Sequence, residues 1–144
     1  MSEVNVNELA SNLRTFTVRL IKKLRKESAT GSELSLTERS TLALLHQTEL
    51  LPSELAAMEK ITNQSMSQIL SHLLELGYIK RTASQTDKRK VLISLSAEGE
   101  QTLLQIRTER TEWLSRALTA TCTEEEQELI LKALTPLTKL VDFE

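Results

Sequence analysis

The stretch SQTDKRKVLISLSAEG, Ser84 to Gly99, decides how this chain is read. Asp87, Lys88, Arg89 and Lys90 stand directly in front of Val91, Ile93 and Leu95, which are apolar at every second position. That period marks a half-buried β-strand, here Lys90 to Leu95. Tyr78 to Thr82 reads as a second short strand, so the two form a hairpin with three cations at its tip. A catalytic loop, a solvated turn and a finger reaching for nucleic acid all fit such a tip taken alone.

Upstream of the hairpin, Asn63 to about Leu76 repeats its apolar residues at helical spacing. At a step of about 100° per residue, Met66, Ile69, Leu70 and Leu73 fall on one side. Gln64, Gln68, Ser71 and Glu75 fall nearly opposite, with Ser65, Ser67 and His72 flanking them. This outer face is uncharged over its first two turns, and with Asn63 it is rich in groups that both donate and accept hydrogen bonds. Such groups suit the edges of bases in a major groove. An ordinary solvated face is the alternative, although solvated faces more often carry Lys, Glu and Arg. Gly77 sits at the position that favours a C′ glycine. A shorter helix, Ser53 to about Lys60, precedes the turn Lys60-Ile61-Thr62, with Leu55, Ala56 and Met58 at its apolar or small positions. Helix, tight turn, helix and basic-tipped hairpin make a winged helix-turn-helix. In that arrangement the second helix enters the major groove and the wing approaches the minor groove.

The flanks read as helices. Val6 to about Lys26 places Leu9, Leu13 and Phe16 at intervals of three and four, and Ala29-Thr30-Gly31-Ser32 ends it. Ser35 and Glu38 spell a capping box, with Thr37 as an alternative cap, for a helix to about Gln47 that turns Leu42 and Leu45 inward. From Ser96 to about Leu118 a long helix carries Leu103, Ile106, Trp113 and Leu114. Thr123 and Glu126 form a second capping box, opening a helix with Ile130, Leu134, Leu137 and Val141 in which Pro136 should cause a kink or interruption. The fold class is therefore mainly α with one small β-hairpin. A central module, residues 35–96, lies between an N-terminal helix, 1–34, and C-terminal helices, 97–144.

Composition removes several classes of function. A chain of 144 residues is most simply one domain, or one with helical extensions. No apolar run approaches the ~18–20 residues of a membrane helix, and the N-terminus has no signal pattern, so the cytoplasm is expected. Cys122 is the single cysteine, His46 and His72 are the two histidines, and no ligand spacing for a metal is present. No nucleophile elbow or phosphate loop organises the Ser, His and Asp residues, which argues against an enzyme and against a cofactor. The net charge of −2 hides a segregation. Residues 60–95 hold six cations against Glu75 and Asp87, whereas residues 31–59 hold five acids against Arg39. Local charge governs binding, because a phosphate feels cations only within about 8 Å at physiological salt.

Several spaced motifs now resemble one family. Leu55-Ala56, then Leu73-x-x-x-Gly77-Tyr78-Ile79-x-Arg81, Asp87-x-Arg89 and Leu95-Ser96-x-x-Gly99 follow the order of the MarR family of bacterial winged-helix transcription regulators. The likeness covers about residues 35–95 by motif and the flanking helices by architecture. Tyr78 replaces a smaller apolar residue and Ser96 replaces Thr, both mild departures. The resemblance implies a sequence-specific double-stranded DNA-binding regulator, a repressor, acting as a homodimer on pseudo-palindromic operators. Asn63, Gln64, Ser65, Ser67, Gln68 and Ser71 would then face the bases. Lys80, Arg81, Asp87, Lys88, Arg89 and Lys90 would serve the wing and the DNA backbone, with Asp87 orienting Arg89. An Asp87–Arg89 pair that merely fixes the turn is compatible with this. Leu9, Leu13, Phe16, Trp113, Leu114, Ile130, Leu134, Leu137 and Val141 become candidates for a dimer interface, with an intrachain core as the other reading. The resemblance also implies a small aromatic or phenolic effector as a potential partner, of a chemistry nothing in the sequence selects. Cys122 lacks a sequence neighbour that would activate it and reads as incidental. A winged helix that binds protein instead of DNA is the alternative function.

Overall fold

The computed structural model describes residues 3–144, in which six helices and one antiparallel pair of strands form. In order they are α1 (Val6–Glu27), α2 (Leu36–Gln47), α3 (Pro52–Glu59), α4 (Asn63–Glu75), β1 (Ile79–Ala83), β2 (Val91–Leu95), α5 (Ala97–Thr121) and α6 (Glu124–Val141). The chain divides into two compact units within α5, between Glu109 and Arg110.

In the first unit, local chemistry sets the helix ends. Ser35 Oγ accepts the Glu38 N–H at 3.1 Å while Glu38 Oε1 accepts the Ser35 N–H at 2.8 Å, so Ser35 rather than Thr37 caps α2. Thr62 Oγ1 caps α4 by accepting the Ser65 N–H at 3.0 Å. At the other end of α4, Gly77 N–H donates to Leu74 O and Tyr78 N–H to Leu73 O, both at 3.0 Å, with Gly77 at φ +82°. That pattern is the Schellman stop, which favours glycine because a side chain at positive φ is strained. Lys60 ends α3 at φ 57° without being glycine, and its left-handed backbone makes the tight turn into α4.

The helices and hairpin close over one core. Leu42 and Leu45 of α2, Leu55 and Ala56 of α3, and Met66, Leu70 and Leu73 of α4 are buried together. Ile79, Ile93, Leu103 and Ile106 complete it from the strands and α5. Met58 departs from its apolar neighbours in α3 and is 54% exposed. The hairpin pairs Ile79 with Leu95 and Ala83 with Val91. Leu50 adds a one-residue third strand, exchanging hydrogen bonds with Ile93 at 3.1 and 2.8 Å. A single paired residue has no period, so nothing in the sequence signalled it.

Where β2 meets α5 the chain is stitched tightly. Ser96 Oγ donates to Gly77 O at 2.6 Å and accepts the Gly99 N–H at 3.0 Å, and Ser96 N–H donates to Tyr78 O at 3.0 Å. A Cβ on Gly99 would lie 1.9 Å from Tyr78 O, so only glycine allows this approach. Tyr78 directs its hydroxyl to Glu33 Oε1 at 2.9 Å. Glu109 of α5 anchors the end of α1, accepting from Ser28 Oγ, Thr30 N–H and Thr30 Oγ1 at 3.0, 3.1 and 2.7 Å. Those donors, the Thr30 hydroxyl first, hold its carboxyl below the usual range.

In the second unit, Thr123 and Glu126 form the expected capping box of α6. The expected kink or interruption at Pro136 is corrected in one respect, because α6 runs unbroken from Glu124 to Val141. The proline forfeits one backbone hydrogen bond on a helix with no buried residue, where water can satisfy the freed carbonyl.

Candidate nucleic-acid interface

The outer face of α4 forms as its periodicity requires, because Met66, Leu70 and Leu73 anchor the opposite side. Asn63, Gln64, Ser65, Ser67, Gln68 and Ser71 are all exposed. Their hydrogen-bonding states differ. Gln64, Gln68 and Asn63 make no side-chain bond among the described residues. Ser65 Oγ accepts from Thr62 Oγ1 at 3.0 Å, and Ser71 Oγ donates to Ser67 O at 2.9 Å.

The wing stands beside this face. Asn63, Ser67 and Leu70 of α4, Arg81 of β1, and Lys90, Val91 and Ile93 line one open cleft of about 630 Å³. Leu51, Pro52 and Ser53, at the start of α3, complete its wall. Two cations thus sit over an apolar floor next to neutral amide and hydroxyl groups, and Val91 is 41% exposed there. Lys80 alternates with Arg81 along β1, opposite Ser94, and does not line the cleft.

At the wing tip, Ser84 is buried and was not among the expected site residues. Its Oγ accepts the N–H groups of Thr86 and Asp87 at 3.3 and 3.4 Å, and its own N–H donates to Lys90 O at 2.9 Å. A serine three residues before Asp87 is the only sequence signal that could have found it. Asp87 Oδ1 accepts both the N–H and the Nε–H of Arg89, at 3.1 and 3.3 Å. The pair therefore fixes the turn and aims the guanidinium outward, with the Arg89 side chain 92% exposed. Lys88 is exposed beside it.

One ion pair ties α4 to α2. His72 Nδ1 meets Glu38 Oε2, the carboxylate that also accepts from Ser35. The Glu38 hydrogen bond, opposed by partial burial, raises the imidazole above its ordinary value, with Glu75 and Glu33 adding to the effect. Burial pushes Glu38 up, but its bonds from Ser35 and His72 outweigh this and leave it lowered. His72 therefore stabilises fully below about pH 6.5, and this is lost as pH rises through its raised value. Glu38 stabilises fully above about pH 4.5, and this is lost as pH falls through its lowered value. The melting-temperature difference between wild type and His72→Ala should be largest between about pH 4.5 and 6.5 and shrink as pH rises through the raised His72 value. A difference that stays constant with pH would contradict this assignment.

Among the dimer candidates, Leu9, Phe16, Ile130, Leu134, Leu137 and Val141 are exposed, and Leu13, Trp113 and Leu114 are half-buried. None of them belongs to the buried core. Among the described residues no helix is long and apolar enough to cross a membrane, and no group of His, Cys, Asp or Glu is arranged to hold a metal.

A helix-turn-helix braced by a core and followed by a short basic hairpin defines the winged-helix class. The MarR family pattern matches residues 32–90. An HTH-type transcriptional regulator of Mycobacterium bovis is 32% identical over 135 residues, 93% of each chain. A transcriptional regulator of Pseudomonas aeruginosa has a similar structure, with a TM-score of 0.86 and 33% identity over 98% of this chain and 100% of its own. A mutant of S. aureus MepR bound to an oligodeoxyribonucleotide shares the fold, with a TM-score of 0.68 and 20% identity over 96% of this chain and 99% of its own. This chain belongs to the MarR family, a family of transcriptional regulators rather than enzymes.

Proposed function

We propose that this chain is a cytoplasmic repressor that binds double-stranded DNA as a homodimer on pseudo-palindromic operators. The observation that carries the proposal is the common cleft of α4 and the wing root, where neutral amide and hydroxyl groups adjoin Arg81 and Lys90. Such a surface matches base edges flanked by phosphates. MepR, of the same fold, is known bound to an oligodeoxyribonucleotide, which supports the reading. Asn63, Gln64, Ser65, Ser67, Gln68 and Ser71 face the bases. Arg81, Lys88, Arg89 and Lys90 take the backbone or minor groove, with Lys80 at the periphery and Asp87 holding Arg89 in position.

A single module offers only ~600–1,000 Å² of contact, so specificity calls for two copies. The exposed apolar residues of α1 and α6 support this assembly, since no buried residue belongs to either helix. Residues 1–34 and 97–144 then serve dimerisation and residues 35–96 serve DNA binding. A small aromatic or phenolic effector that favours a DNA-incompetent arrangement of the dimer would release the operator.

Substitutions separate the two kinds of contact. Gln68→Ala removes a potential bidentate base pairing, costing about 1–3 kcal/mol on the preferred sequence and little elsewhere. Arg89→Ala should weaken binding to most sequences together, apart from a preference for narrow A·T-rich minor grooves. Binding of both variants to single-base operator variants at fixed salt tests the assignment. A ranking left intact by Gln68→Ala and scrambled by Arg89→Ala would overturn it.

A further inference from the structure

The face of α4 holds three hydroxyls, and the structure leaves Ser71 able to bond outward in only one sense. A serine hydroxyl has one proton to donate and two lone pairs to accept with. Ser71 has committed its proton to Ser67 O at 2.9 Å, so lone pairs alone face solvent. Ser65 is less constrained. Its oxygen accepts from Thr62 Oγ1, which itself accepts the Ser65 N–H, both at 3.0 Å. The Ser65 proton and one lone pair remain free, so it can bond outward in either sense.

Resting on the DNA-binding reading above, we infer that Ser71 accepts a hydrogen bond from the exocyclic amino group of one operator base pair. In the major groove the donors are the N6 amino group of adenine and the N4 amino group of cytosine. Thymine O4 and guanine O6 and N7 present lone pairs, which oppose those of Ser71 unless it breaks its bond to Ser67. Ser71 lies about one helical turn beyond Gln68 on the same stripe, so it contacts a different base from the one Gln68 contacts. The amides of Gln64 and Gln68 carry donors and acceptors together and impose no such sign. Ser65 flanks the stripe and likewise imposes no sign.

The test uses the full chain with Ser71→Ala and Ser65→Ala, changes that leave the Thr62 cap and the α4 core in place. Each is measured on all single-base operator variants at fixed salt. Ser71→Ala should flatten the ranking at one base pair, and every pair carries one amino group in the major groove. Replacing the adenine or cytosine of that pair by an analogue with hydrogen in place of the amino group should weaken wild type about three- to tenfold and leave Ser71→Ala unaffected. Ser65→Ala, which keeps the Ser71 contact, should respond to that analogue as wild type does. Wild-type binding unchanged by the analogue, or no position altered by Ser71→Ala, overturns the inference. If wild type ranks no operator variant above another, the DNA-binding reading itself fails, and this inference with it.

Discussion

Raising the salt concentration from 50 to 200 mM is expected to weaken operator binding by about 10³–10⁵-fold. The expectation rests on where the cations lie. Lys60, Lys80, Arg81, Lys88, Arg89 and Lys90 are all exposed, and Arg81 and Lys90 share a cleft with the face of α4. Two copies supply enough of them to neutralise ~6–10 phosphates, and each neutralised phosphate releases condensed counterions. Steering by these charges needs no favourable net charge, because local charge governs the encounter with phosphates. Arg89→Ala should reduce the slope of log affinity against log salt by about 1 for each protomer. Fluorescence anisotropy titrations at several salt concentrations give both quantities. A flat response would mean that the basic cluster serves a protein partner.

The second large effect concerns folding. Gly99→Ala is expected to destabilise the protein by about 3 kcal/mol or more, because the added methyl meets a backbone carbonyl and not a side chain that could swing aside. Relieving the overlap means separating α5 from Tyr78, which also breaks the bonds of Ser96 to Gly77 and Tyr78. The hairpin loses its anchor, so DNA binding should fall along with stability. Gly77→Ala provides the comparison. Its added Cβ meets only Glu98 Oε2, at 3.3 Å, so the main cost is the positive φ, about 1–2 kcal/mol. Thermal melts of the two variants should rank them in that order. Equal midpoints would show that the approach of α5 to Tyr78 is not as tight as described.

These residues also show what the sequence could convey. The amphipathic period of α4 was legible from spacing alone, whereas of the alternating residues in β2 only Ile93 and Leu95 meet the core and Val91 is 41% exposed. Caps at Ser35 and Thr123 were legible because a side-chain acceptor three residues before a carboxylate satisfies two helix N–H groups at once. The Leu50 bridge was not, because it depends on a distant strand passing beside it. Ser84 escaped for a related reason: its role comes from three backbone partners that only the closed wing assembles. The interruption expected at Pro136 does not occur, because the rule against proline weighs the lost hydrogen bond, whereas an exposed helix can replace it with water. The motif Leu-Ser-x-x-Gly was visible as a pattern, but its cause, the Gly99–Tyr78 approach, is a three-dimensional fact.

Selection of genomic DNA fragments by the purified full-length protein tests the central claim most directly. A dimer with two copies of α4 should enrich one pseudo-palindromic sequence whose half-site centres lie ~10 bp apart, so that both helices reach one face of the duplex. Recovery of fragments without any common sequence, or of isolated half-sites with no symmetric partner, would contradict a homodimeric, sequence-specific DNA-binding protein.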